Sequence, residues 1–298
     1  MQLTIKDWRS WGIPLNADAT DQLATNEATN QPKTDKTAAS PPSVNEIPPM
    51  LRRRLSPMGR AAAQCLFPLF DSLSDNLEPC SSNSLEYRQA ATSSKSQTPI
   101  IFASRHGEVA RTQKMLCDLA QNELLSPIAF SLSVHNAIGG IISIQQKITA
   151  NITAIAADGS EIMATLIEAA GLILSGKANI ADQSNQQVLC IVCDDPLPES
   201  YQAYCQMPKQ AFALAFIVQG IAQKTSANQT ESKNKTEQKL ENKTEKHPIN
   251  IQIKASQSSF IEPEYSSQAA QFTQLLQGHT QSLELSLGNS HWQIDSIC

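Results

Sequence analysis

The chain has 298 residues, of which 41% are hydrophobic and 17% charged, with a net charge of −5 at pH 7. That length holds a sizeable core, and the mild acidity argues against a nucleic-acid partner. Seven cysteines without regular spacing read as reduced thiols, and the opening MQLTIKDWRSWGIPL has no basic start followed by a long apolar run, so the expectation is a cytoplasmic protein without signal peptide or membrane span.

Leu3 to Ile13 alternates weakly around Trp8 and Trp11 and predicts an opening strand and turn ended by Pro14. Asn16 to Asn45 is rich in Thr, Asn, Asp, Ala and Pro. It lacks the large apolar residues that would offset the entropy of ordering it, which predicts a flexible linker over 16–46. From Ile47 the character changes. Leu51, Leu55 and Met58 bracket Arg52, Arg53, Arg54 and Arg60, and Ala61 to Phe70 is apolar enough for a packed helix. The arginine run reads first as a solvated or salt-bridged helix face, with a landing patch for an acidic carrier protein or a phosphate as the alternative. Leu73 to Thr98 reads as a Ser- and Asn-rich connection with a partial helix over Ser84 to Ala91.

The informative stretch runs from Pro99 to Ala178. Ile100 to Ala103 is short, branched and preceded by proline, which favours a buried strand. In the following helix Val109, Met115, Leu116 and Leu119 form one stripe, predicted to face a sheet. Ser126 to Gly140 is apolar and small, interrupted by Ser131, Ser133, His135 and Asn136. Ile152 to Ala157 is strand-like and ends in Asp158-Gly159-Ser160, opening a helix that buries Ile162, Leu166, Ile167, Ala170, Ile173 and Leu174 and stops at Gly176. Asp158 and Glu161 are spaced as a capping box for that helix.

Val188 to Cys193 and Ala211 to Val218 are apolar runs of strand length. Cys190 and Cys193 are spaced C-x-x-C, which invites a metal or redox role. On a strand, residues three apart point to opposite faces and no second pair follows, so two core thiols and no metal site are expected. Gln223 to His247 is a low-complexity run of Lys, Glu, Asn, Thr and Gln. The Asn-x-Thr triplets at Asn228, Asn234 and Asn242 carry no glycosylation meaning in a cytoplasmic chain. Ile249 to Ile253 alternates with period two, Ser267 to Gln277 reads as a short helix ended by Gly278, and Ser282 to Ile297 gives two small strands around Trp292.

Four segments, LRRRLSPMGRAA at 51–62, FASRHGE at 102–108, SPIAFSLSVHN at 126–136 and CDDPLPESY at 193–201, stand in the order found in one family. Over roughly 47–221 the chain resembles the N-terminal half of the β-ketoacyl synthases of the thiolase superfamily, most closely the shorter chain-length-factor-like proteins. The resemblance implies an α/β fold: one layered, thiolase-like half with disordered insertions. The implied organisation is an opening strand at 1–15, a linker at 16–46, the ketosynthase-like domain at 47–222, an insertion at 223–248, and strands and helix at 249–298 completing the same domain.

The resemblance also implies what to look for at the reaction centre. Working relatives place a cysteine where a strand turns into a long helix, whose N-terminus lowers the thiol pKa. Counting without gaps puts Gly159 there, and glycine carries no nucleophile. His247, His279 and His291 lie outside the family's histidine motifs, and the roughly 80 residues after Ile221 are short for a second α/β half. The expectation is a non-catalytic subunit, without cofactor, that pairs with a full-length β-ketoacyl synthase and meets an acyl carrier protein. Self-association stays open.

The polar residues of the core support a second reading, a stand-alone acyl-thioesterase or acyltransferase using Ser131 or Ser133 with His135 as base. No G-x-S-x-G elbow accompanies them. The structural reading pairs Arg105 with Glu108 across the turn that also holds His106. It gives His135 and Asn136 the task of satisfying buried backbone groups where two subunits or halves meet.

Overall fold

The structure, a computed structural model, describes residues 1–13, 42, 47–73, 95–176, 186–204, 210–221, 247–256 and 267–297. Nearly all of the predicted linker, the partial helix at Ser84 to Ala91, almost the whole low-complexity insertion with its Asn-x-Thr triplets, and Cys80, Cys205 and Cys298 lie outside the described residues.

Eight strands form one mixed sheet. In chain order they are β1 (Gln2–Trp11), β2 (Ile100–Ala103), β3 (Ile152–Ile155), β4 (Gln187–Asp194), β5 (Phe212–Gly220), β6 (Ile249–Ser256), β7 (Ser282–Leu287) and β8 (Ser290–Ile297). Their spatial order is β3-β2-β4-β5-β1-β6-β8-β7. β2 runs parallel to both β3 and β4, and every other pairing is antiparallel. The helices are α1 (Pro49–Arg54), α2 (Pro57–Ser72), α3 (Val109–Ala120), α4 (Pro127–Ser131), α5 (Ala137–Gln146), α6 (Glu161–Leu174), α7 (Glu199–Gln202) and α8 (Ser267–Leu276).

The continuous apolar runs of the central strands have a simple cause: both faces of the sheet are covered. On β4, Val188, Cys190 and Val192 join the core beneath α6 and α8, while Leu189, Ile191 and Cys193 join the core beneath α1, α2 and α5. Cys190 and Cys193 thus lie on opposite faces, as the period-two rule requires. β2 divides the same way, Ile101 and Ala103 against Ile100 and Phe102. Phe102, Phe216 and Phe272 are fully buried, and each such side chain contributes about 1.5–3 kcal/mol by leaving water.

Local chemistry marks the helix ends. Ser56 caps α2 by accepting from Gly59 N at 3.0 Å, with Pro57 at the first helical position. α6 gives way to Gly176 at φ 71°, the left-handed stop its sequence predicts.

Three expectations fail. Leu174, expected on the buried side of α6, is 81% exposed at the end of that helix. α3 has no buried residue, and Leu116 and Leu119 are more than half exposed, so the predicted stripe faces outward and not onto the sheet. The α6 capping box is also absent. Asp158 sits at φ 47° and is itself 88% exposed in its side chain, and Ser160 stands at the N-cap position without a side-chain bond. The turn has the length of a capping box, but its left-handed residues Asp158 and Gly159 swing the aspartate outward.

Candidate functional site

β2, β3 and β4 are parallel, so the turns that follow them emerge at one end of the sheet, where α/β proteins place their ligands. Three segments meet there: Ser104 to Glu108 after β2, Ala156 to Ser160 after β3, and Asp194 to Pro198 after β4.

Asp194 organises the first and third. Ser104 Oγ donates to its Oδ1 at 2.7 Å, and Arg105 N donates to both carboxylate oxygens at 3.0 and 3.1 Å. Ser104 Oγ in turn accepts from Gly107 N at 2.9 Å, which folds the turn back on itself. Gly107 sits at φ 57°, and a β-carbon there would lie 3.0 Å from the His135 ring, so glycine is required.

Glu108 forms a second knot. Ser56 Oγ donates to its Oε1 at 2.6 Å and Arg111 Nε pairs with its Oε2 at 2.9 Å. Burial raises the Glu108 carboxyl above the ordinary glutamate range, against the pull of Ser56 and Arg111. Asp195 rises further, to about 6, first through burial and then through the neighbouring Glu108 charge, with the Met58 backbone N–H working the other way.

The predicted site residues fall as follows. Arg105 does not pair with Glu108, because its guanidinium reaches across to Asp158 in the turn after β3. His106 is half-buried, and desolvation followed by the Arg105 charge lowers its pKa. His135 lies 2.6 Å from the Ser104 carbonyl, an acceptor only, so its Nε2 carries the proton and donates. Its ring packs edge-on to Phe102 with centroids 5.9 Å apart. The backbone group that it satisfies is the Ser104 carbonyl of its own chain. Asn136 is exposed and makes no side-chain cap for α5. Ser131 Oγ donates to the Ile128 carbonyl at 2.9 Å and Ser133 Oγ to the Phe130 carbonyl at 2.8 Å. Both hydroxyls are thus turned onto their own helical turn and neither is joined to His135. Arg52 Nε donates to the Ile47 carbonyl at 3.0 Å, while Arg53 and Arg54 are exposed. His247 and His279 lie at the ends of other elements and His291 on β8.

Gly159 lies in the turn between β3 and α6, at φ 98° and buried. The sequence reading missed what fills its surroundings. Glu161 is 3% exposed, and its Oε1 accepts from both Ala157 N and Gly159 N at 3.2 Å. It also missed Asp194 and Asp195, for which a signal existed: two carboxylates directly after an all-apolar strand must find partners where they stand.

Among the described residues no group of three or more His, Cys, Asp or Glu side chains is arranged to hold a metal ion. No described helix is long and apolar enough to cross a membrane.

The profile of the β-ketoacyl synthase N-terminal domain matches residues 77–293, nearly three quarters of the chain. The chain belongs to this family. The match begins later and runs further than the span of the four sequence motifs, taking in β6, α8, β7 and the first half of β8. Among solved structures the chain is similar to one described as a ketosynthase (ApeO) in complex with its chain length factor (ApeC) from Xenorhabdus doucetiae. The identity is 23% and the TM-score 0.62, over 99% of each chain, which shows a ketosynthase-type, thiolase-like α/β fold. A β-ketoacyl synthase from Burkholderia phymatum STM815 is similar at 10% identity and a TM-score of 0.41, over 59% of this chain and 45% of the other. No curated protein matches the sequence.

Proposed function

We propose that this ketosynthase-like chain is a non-catalytic, chain-length-factor-like subunit. It associates with an active β-ketoacyl synthase in fatty-acid, polyene or polyketide-type biosynthesis. The observation that carries the reading is a set of apolar side chains left exposed among the described residues, together with an edge strand that has no partner among them. Leu116, Leu119, Leu124, Ile128, Phe130 and Ile144 are all at least half exposed and fall within one stretch of chain, Leu124 completely so. β3 is the terminal strand of the sheet, and its outer edge has no strand partner among the described residues. Apolar surface of this extent and a free sheet edge together ask for another protein.

Three further points support the subunit reading. Gly159 offers no nucleophile at the position where working relatives carry one. The Ser131, Ser133 and His135 side chains are not assembled into an alternative. A chain of nearly this length and fold stands in a solved complex of a ketosynthase with its chain length factor. The described elements between residues 1 and 297 share one sheet and its covering helices, which supports a single domain with insertions at 16–46 and 223–248. The exposed Arg53 and Arg54 at the end of α1 are the proposed contact for the acidic carrier protein.

Co-expression with a full-length ketosynthase from the same pathway tests the reading. A stable complex should co-elute, and Phe130→Asp with Leu119→Asp should abolish it without lowering the melting temperature of the free subunit. Failure of every such pairing to co-elute would sink the proposal, and self-association alone would assign the face to a second copy of this chain.

A further inference from the structure

We infer that Glu161 is a built-in occupant of the turn after β3: its carboxylate fills a backbone-amide nest just ahead of α6 that would otherwise be open to an incoming oxyanion. A helix start offers unpaired N–H groups and partial positive charge, which make a ready site for an anionic oxygen. Here two amides of the turn leading into the helix are taken. Ala157 N and Gly159 N converge on one oxygen, Oε1 of Glu161, each at 3.2 Å, and the side chain is almost completely buried. The turn around it is held from outside by the Arg105 to Asp158 ion pair, and the Ser104 N–H donates to the Ile155 carbonyl at 3.0 Å just before it. The nest is thus formed and closed by the chain itself.

The consequence goes beyond the missing nucleophile. A thiol restored at position 159 would find a fixed negative charge where activation needs a positive one, and a thioester carbonyl would find its amides already bonded. Loss of activity is therefore doubly secured. This deepens the reading of Gly159 as a vacated nucleophile position, although the contact between Glu161 and the two amides stands whether or not the chain pairs with a ketosynthase.

The test compares the full chain carrying Gly159→Cys with the chain carrying Gly159→Cys and Glu161→Gln. Glutamine keeps the acceptor oxygen and removes the charge. Alkylation by iodoacetamide at pH 7.5, in which the thiolate sulfur bonds to carbon and iodide leaves, is followed by mass spectrometry on the peptide containing residue 159. Removing the unit charge of a neighbouring buried carboxylate, at an effective dielectric near 20, predicts alkylation at least about tenfold faster in the glutamine background. Equal rates overturn the inference. Since cysteine at φ 98° can prevent folding, Glu161→Ala in the otherwise native chain supplies a second measurement. The Ala157 and Gly159 amides should exchange with deuterium at least about tenfold faster than in the native chain, and unchanged protection overturns the inference independently. Neither readout depends on a ketosynthase, so a failed co-elution and a failed nest are told apart.

Discussion

The Asp195 carboxyl sets up a proton linkage whose size follows from its surroundings. Burial and the adjacent Glu108 raise its pKa from the ordinary 3.8 to about 6. A carboxyl whose folded pKa lies above its unfolded value binds its proton more tightly in the folded state. Stability therefore rises as the pH falls through 6 and is fully gained only below 3.8, while at neutral pH the ionised group is a cost. At pH 5 the folded chain gains a factor of about ten over the unfolded one from this group, about 1.4 kcal/mol relative to pH 7.5. His106 works the other way, because its pKa is lowered by burial and it must shed a proton to fold as the pH falls. A double difference separates the two. Asp195→Asn keeps an oxygen for the Met58 N–H and cannot ionise. Urea unfolding of native and variant chains at pH 5 and 7.5 should show the variant gaining about 1 to 1.4 kcal/mol more at pH 7.5 than at pH 5, relative to the native chain. A variant that tracks the native chain at both pH values would refute the argument that Asp195 is held ionised at a cost.

Three further outcomes are expected. Gly107→Ala places a methyl group 3.0 Å from the His135 ring at a left-handed φ and should cost about 1–3 kcal/mol, read as a melting temperature several degrees lower; an unchanged melt would show the turn to be pliable. Phe102→Ala empties a fully buried site shared with His135 and should cost about 3–5 kcal/mol in urea, whereas a loss under about 1 kcal/mol would mean the core refills. Burial drives the Cys190 and Cys193 thiols well above the ordinary range, so in the native state a thiol reagent should label Cys117, which is exposed, and leave that pair untouched until urea is added. Labelling of Cys190 or Cys193 in buffer would contradict their placement.

Much of the fold could be read from pattern alone because local chemistry and tertiary placement agree. Proline before Ile100, glycine after Leu174 and Gln277, and alternation from Ile249 to Ile253 each announce an element the structure contains. α3 shows where pattern stops. Its stripe of Met115, Leu116 and Leu119 says that the helix has an apolar face, but periodicity is blind to what covers that face, and here the described chain leaves Leu116 and Leu119 more than half exposed. The site was legible in its residues and not in its pairings. Arg105, Glu108 and Asp158 were all singled out, but local spacing suggested Arg105 with Glu108, whereas the parallel strands bring Arg105 to a residue 53 positions away. Asp194 and Asp195 escaped for the same reason: their partners come from other strands and from the start of α2.

The placement of β1 has a consequence for how the molecule comes into being. Its residues 2–11 are made long before their partners, for they are zipped on one side to 213–220 and on the other to 249–252. During synthesis this ribbon of apolar side chains must wait, unpaired, until most of the polypeptide has left the ribosome. Closing so wide a loop is slow, and a waiting strand is sticky. Chaperone dependence, and rescue of yield by slower expression at low temperature, are the outcomes expected when an early-made strand sits in the middle of the sheet.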